Sequence, residues 1–99
     1  MNTMHNQYVM RNEESAVWTK LDETIMIIVT QENEEKVFNL NKTAAFLWEQ
    51  CDGKKTVADL IREVCAKYSV DEPLAQEDTL AFISSMKRRH LLSLSSRAA

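Results

Sequence analysis

The chain has 99 residues, a formal net charge of −3, one glycine (Gly53) and one proline (Pro73). Such a length makes one domain with a small core, and 44% hydrophobic with 27% charged residues is a globular composition, not a disordered one. A single glycine excludes phosphate-binding loops, dinucleotide fingerprints and nucleophile elbows, each of which needs more than one.

Residues 1–12 are polar and aperiodic, and they are expected to form a flexible N-terminal tail, with a short edge strand at Tyr8 and Val9 as the alternative. Residues 16–21 then alternate modestly around Val17 and Trp18, Asp22-Glu23 reads as a two-residue turn without the favoured glycine, and residues 24–30 (TIMIIVT) are β-branched and apolar. A polar connection over 31–35 leads to a third alternating run, 36–40. These three runs predict a three-stranded antiparallel meander.

At Asn41 the apolar period changes from about two to about 3.6. Asn41 is placed to cap a helix over 42–51, ended by Asp52-Gly53; Thr56 caps a second helix reaching Tyr68, with Val57, Leu60, Ile61 and Val64 on one stripe. Asp71 caps a third helix, where Pro73 is harmless in the first turn, and Leu80, Phe82, Ile83, Met86 and Leu91 run along it. Residues 93–99 are expected to be a small polar tail. The fold class is therefore α+β: three antiparallel strands followed by three helices, with the domain over 13–92.

Charge is distributed unevenly. From Asn12 to Lys36, Glu13, Glu14, Asp22, Glu23, Glu32, Glu34 and Glu35 face only Lys20 and Lys36, whereas Lys87, Arg88, Arg89 and Arg97 follow Met86 with no acid among them. The net negative charge argues against a general nucleic-acid binder. No apolar run approaches the roughly 20 residues of a membrane span, and residues 1–10 do not have the pattern of a signal peptide, so a cytoplasmic protein is expected.

Chemistry is sparse. The serines have no histidine–acid partner except His90 at a helix end, and Cys51 and Cys65 stand apart without a metal-ligand pattern or an activating neighbour. No catalytic residue, metal site or cofactor is expected. What remains is a surface. A meander has two edges, each a row of unpaired amide and carbonyl groups to which an extended peptide can add.

The run from Phe38 to Val57, FNLNKTAAFLWEQCDGKKTV, resembles the PqqD family: a strand ending in Leu-Asn, a helix of the form xTAAxLW, then CDG, two basic residues and Thr-Val. Trp18 with the following hairpin, the apolar spacing of Leu60, Ile61, Val64 and Tyr68, and the closing run over 78–92 extend the resemblance to about residues 14–92. His90 stands where the family often has glycine near the end of the last helix. The resemblance implies a small winged-helix-like domain of the kind called a RiPP recognition element. Such a domain binds the leader segment of a ribosomally made precursor peptide and presents it to a modifying enzyme, a radical S-adenosylmethionine protein in the quinone pathway. It implies that the leader adds as an antiparallel strand between the third strand and the third helix. In this chain that gives Glu35, Lys36, Val37, Phe38 and Asn39 on the strand, with ladder bonds expected from residues 36–38, and Thr79, Leu80, Ile83, Lys87 and Arg88 on the helix. Two other readings fit the same order of elements. One is a DNA-binding winged helix using Lys54, Lys55, Arg62 and Lys67. The other is a dimerising scaffold, since an open edge and a methionine-bearing tail also suit a homodimer.

Overall fold

The computed structural model describes residues 3–14 and 16–99. After a 3-10 turn at Thr3–Asn6 the elements are β1 (Tyr8–Arg11), β2 (Ala16–Leu21), β3 (Thr24–Gln31), β4 (Glu34–Leu40), α1 (Lys42–Gln50), β5 (Asp52–Thr56), α2 (Val57–Tyr68), α3 (Glu72–Arg88) and β6 (Leu92–Ser95). The expected α+β architecture, a three-stranded antiparallel sheet with three helices, is present as β2-β3-β4 and α1 to α3. A second three-stranded sheet, in the order β5-β1-β6, was not foreseen.

The meander is built from two hairpins with two-residue turns. Leu21 pairs with Thr24 around Asp22-Glu23, and Gln31 pairs with Glu34 around Glu32-Asn33. Asp22, Glu32 and Asn33 take positive φ values of 61°, 50° and 69° without glycine. At Glu32-Asn33 both central residues have positive φ, the type I′ geometry, whose twist matches that of the flanking strands, whereas at Asp22-Glu23 only the first does. The polar stretch expected over 31–35 is thus mostly strand, because pairing continues to the turn itself. Alternation sends Ile25, Ile27 and Val29 of β3 into the core while Met26 and Ile28 stay half-exposed on the opposite face.

The helices start where the capping residues sit. The Asn41 carboxamide accepts from the Ala44 amide at 2.9 Å. Thr56 and Asp59 form a reciprocal capping box: the Asp59 amide donates to the Thr56 hydroxyl at 3.1 Å, and the Thr56 amide donates to the Asp59 carboxylate at 2.9 Å. That bond, with the Arg62 guanidinium beside it, holds the Asp59 carboxyl below its ordinary value. Asp71 precedes α3 without a side-chain capping bond, and Pro73 lies in the first turn. Helix α3 ends in a Schellman motif: the His90 amide donates to Lys87 O at 2.9 Å and the Leu91 amide to Met86 O at 2.9 Å, with His90 left-handed at φ 59°. The helix therefore ends as a glycine-capped one would, at a conformational cost that glycine avoids. Leu91 lies beyond the helix rather than along it, and is buried with Met86.

The core gathers the β3 face, Leu40, Ala45, Leu47 and Trp48 of α1, the stripe of α2, and Ala75, Phe82, Ile83 and Met86 of α3. Trp48 is fully buried and meets half-buried Trp18 edge to face, with centroids 6.1 Å apart. Truncating a fully buried tryptophan costs about 3–5 kcal/mol, so this pair carries a large share of a small domain's stability.

Both expected tails are corrected within the described residues, which exclude Met1 and Asn2. Tyr8–Arg11 is the central strand of the second sheet, with Val9 fully buried, and residues 92–95 pair beside it as β6. The partners of β1 lie more than forty residues away in sequence, and Val9 is its sole buried side chain, so no local periodicity betrays it. Arg11 fixes this sheet to the rest. Its guanidinium donates to the carbonyls of Trp48 (2.8 Å) and Glu49 (3.0 Å) at the end of α1, and lies 5.5 Å and 5.9 Å from the Trp18 and Trp48 rings. A cation at a helix C-terminus satisfies otherwise unpaired carbonyls. Gly53, at φ 83°, sits where the β1–β5 register shifts. A Cβ there would come within 2.6 Å of the Ala99 side chain, and the Ala99 amide donates to Gly53 O at 2.8 Å.

Candidate functional site

Among the described residues strand β4 pairs with β3 on one side only. Its hydrogen-bond phase follows from the turn. A two-residue hairpin makes the flanking pair, Gln31 and Glu34, a hydrogen-bonded pair, and such pairs alternate along an antiparallel ladder. Glu34, Lys36, Phe38 and Leu40 therefore spend their amide and carbonyl groups on β3. Glu35, Val37 and Asn39 direct theirs to the open edge. The β2–β3 ladder, counted from Leu21 and Thr24, gives the complementary set on β3, so the two hairpins agree in phase. Of the residues expected to supply ladder bonds, Val37 is free to do so; Lys36 and Phe38 are committed inward.

The side chains alternate as well. Phe38 and Leu40 turn toward the helices, half-buried and buried, while Val37 is 54% exposed on the opposite face. Val37 lies opposite Ile28, which lies opposite Val17, giving an apolar row across the outer face. Beside the inward face of β4 is a cleft of about 360 Å³ between the β4–α1 junction and α3. Leu40, Asn41, Thr43, Ala44 and Leu47 line one wall, and Asp78, Ala81, Phe82, Ser85 and Met86 the other. Beyond Ser85, toward the hairpin, the Arg89 guanidinium stacks 4.8 Å from the Phe38 ring and donates to the Ser85 carbonyl at 3.1 Å and to the Ser85 hydroxyl.

The helix residues expected at this groove are placed differently. Thr79 and Ile83 are 0% and 1% exposed and face the core, so they have no surface to offer a peptide. Leu80 is half-buried against the core, and Lys87 and Arg88 are exposed; none of the three lines the cleft. The face toward β4 is instead the i, i+3, i+7, i+11 stripe of Asp78, Ala81, Ser85 and Arg89, with Phe82 and Met86 beneath. Its small and polar residues carry no apolar signal, which is why spacing alone selects the buried stripe next to it.

The β2 edge differs. There the Trp18 indole donates to Glu13 at 2.7 Å and Lys20 pairs with Glu49 at 3.1 Å. A polar cleft of about 590 Å³, between the β2–β3 turn and helices α1 and α2, is larger than the β4 cleft, and charges on its walls are paired with one another. Glu23 meets Lys42 at 2.9 Å, which lowers the Glu23 pKa and raises that of Lys42, each mainly through their hydrogen bond. The Cys51 thiol donates to Leu47 O at 3.1 Å, and burial pushes its pKa up to about 12, so it has no thiolate to react with at neutral pH. Among the described residues no group of three or more His, Cys, Asp or Glu is placed to hold a metal ion, and no helix is long and apolar enough to cross a membrane.

No curated protein matches the chain in sequence. A solved structure, TbiB1 in complex with the TbiA(beta) leader peptide, superposes with a TM-score of 0.73 at 23% sequence identity, covering 85% of this chain and 95% of that one. At that identity the likeness establishes the fold. Residues 7–92 match the family described as coenzyme PQQ synthesis protein D (PqqD), a span that takes in β1, the meander, all three helices and the first residue of β6. The chain belongs to the PqqD family.

Proposed function

We propose that this protein is a non-catalytic recognition element that binds the leader segment of a ribosomally made precursor peptide by strand addition at β4 and presents it to a modifying enzyme, a radical S-adenosylmethionine protein in the quinone-cofactor branch of the family. The observation that carries the reading is the conjunction of an open β4 edge with a cleft between that strand and α3. The edge supplies sequence-independent backbone bonds and the cleft supplies selectivity, which is the division of labour in strand-addition complexes. Membership of the PqqD family supports it, as does the fold shared with TbiB1, a protein solved in complex with a leader peptide. Antiparallel addition makes the better-aligned ladder.

Binding to duplex DNA is the weaker reading. Arg62 is paired with Asp59 and Lys55, on β5, with Glu63 at 3.9 Å, while Lys67 stacks 5.5 Å from the Phe46 ring, so three of the four cations this reading uses are engaged within the chain. Calorimetric titration with leader peptides encoded beside this gene tests the proposal. It predicts saturable one-to-one binding that survives at high salt, since the ladder bonds are not ionic. Binding to random duplex instead, weakening steeply with salt, would overturn it.

A further inference from the structure

Strand phase and cleft polarity together specify what kind of peptide the edge would read; the inference rests on the leader-binding reading above. An antiparallel strand bonded to Glu35, Val37 and Asn39 places the residues opposite those three on the outer face. The residues opposite Leu40, Phe38 and Lys36 then point toward α3. In the peptide's own direction the three inward positions come in that order, two residues apart. The first enters the cleft over Leu40, Ala44 and Phe82, with Asp78 on the rim. The second lies against Phe38, near Ser85 and Arg89. The third lies beside Lys36, one inward position nearer the hairpin than Phe38 and its Arg89 contact.

Charge separates the two ends. Seven cations lie outside any ion pair among the described residues, and two of them are at this edge: Lys36 on the inward face of β4, and Arg89 stacked on the neighbouring inward Phe38. Glu34 shares the inward face with Lys36 two residues nearer the turn, and with Glu32 it lines the hollow there, so the third inward position opposes Lys36 itself and a fourth would meet these acids. Asp78 disfavours a second carboxylate at the other end. We infer that the edge selects an extended segment of the pattern apolar-x-apolar-x-acidic, with Lys36 and Arg89 as the residues that read the acid and set its position.

The test is selection from a displayed library of random ten-residue segments against the full chain, followed by titration of synthetic peptides carrying Glu, Gln or Lys at the third inward position. The expected result is enrichment of the pattern, with Glu bound about three- to tenfold more tightly than Gln, as two partly exposed pairs allow. A Lys36→Glu/Arg89→Glu variant, shown to be folded by circular dichroism, should reverse the preference toward Lys. Segments that enrich for alternating apolar residues with no preference at the third position would overturn this inference and leave strand addition standing. Absence of any enriched segment, with the β4 amides unperturbed by every peptide, would overturn the leader-binding reading itself.

Discussion

The two small sheets use the same element in opposite ways. The β5-β1-β6 sheet is assembled from segments far apart in sequence and tied on several sides: Arg11 to the end of α1, the Asn12 side chain to His90 O at 2.9 Å, and Ala99 to Gly53. The β2-β3-β4 sheet is assembled from local hairpins, and β4 is left without an outer partner. Its edge carries Glu34, Glu35 and Lys36, charges that discourage edge-to-edge aggregation while leaving the backbone accessible. Long-range pairing closes the fold, and a locally determined strand is left with an open edge.

The sharpest way to break this contrast is to place one charge in each sheet. Val9→Asp buries an unpaired carboxyl at a fully enclosed position of β1 and should cost more than about 4 kcal/mol, enough to unfold the chain. Val37→Asp, on the exposed face of β4, should change stability by no more than about 0.5 kcal/mol. Urea denaturation of the pair measures both, and equal losses would remove the distinction. Arg11→Ala should follow at about 2 kcal/mol, because two carbonyls at the end of α1 lose a charged donor.

Thr56→Ala, at the junction of β5 and α2, should cost about 1 kcal/mol. The same box has a pH signature. The folded pKa of Asp59 is depressed, so its contribution is complete above the ordinary value of 3.8 and is lost as pH falls through the lower, folded value. Acid unfolding curves of the protein and of Asp59→Asn should therefore differ in slope below about pH 4 and run parallel above it. The smallest effect runs the other way: His90→Gly relieves a left-handed residue at the end of α3 and should stabilise the fold by about 0.5–1 kcal/mol in thermal unfolding.

Most of the fold is legible in the sequence because it is local. Asn41 and Thr56 announce helix starts, the TIMIIVT run announces β3, and the change of period at Asn41 marks the passage from sheet to helix. Of the second sheet only a short strand at Tyr8 and Val9 is legible, and as an edge rather than a centre, since its partners, Asp52–Thr56 and Leu92–Ser95, lie more than forty residues away. The strand half of the candidate site is readable to within its phase. That phase depends on the turn contracting to Glu32-Asn33, which requires two non-glycine residues at positive φ. The helix half of the expected site differs from the wall facing β4, which is made of Asp78, Ala81 and Ser85, residues that ordinarily mark a solvated face.

Amide hydrogen exchange along β4, with and without a bound leader, tests strand addition most directly. In the free protein the amides of Lys36 and Phe38 should be protected by β3 and those of Glu35, Val37 and Asn39 should exchange freely. Leader binding should slow the second set and leave the first nearly unchanged. Protection gained at Lys36 and Phe38 instead, or no change at Glu35, Val37 and Asn39 with the leader bound, would contradict strand addition at this edge.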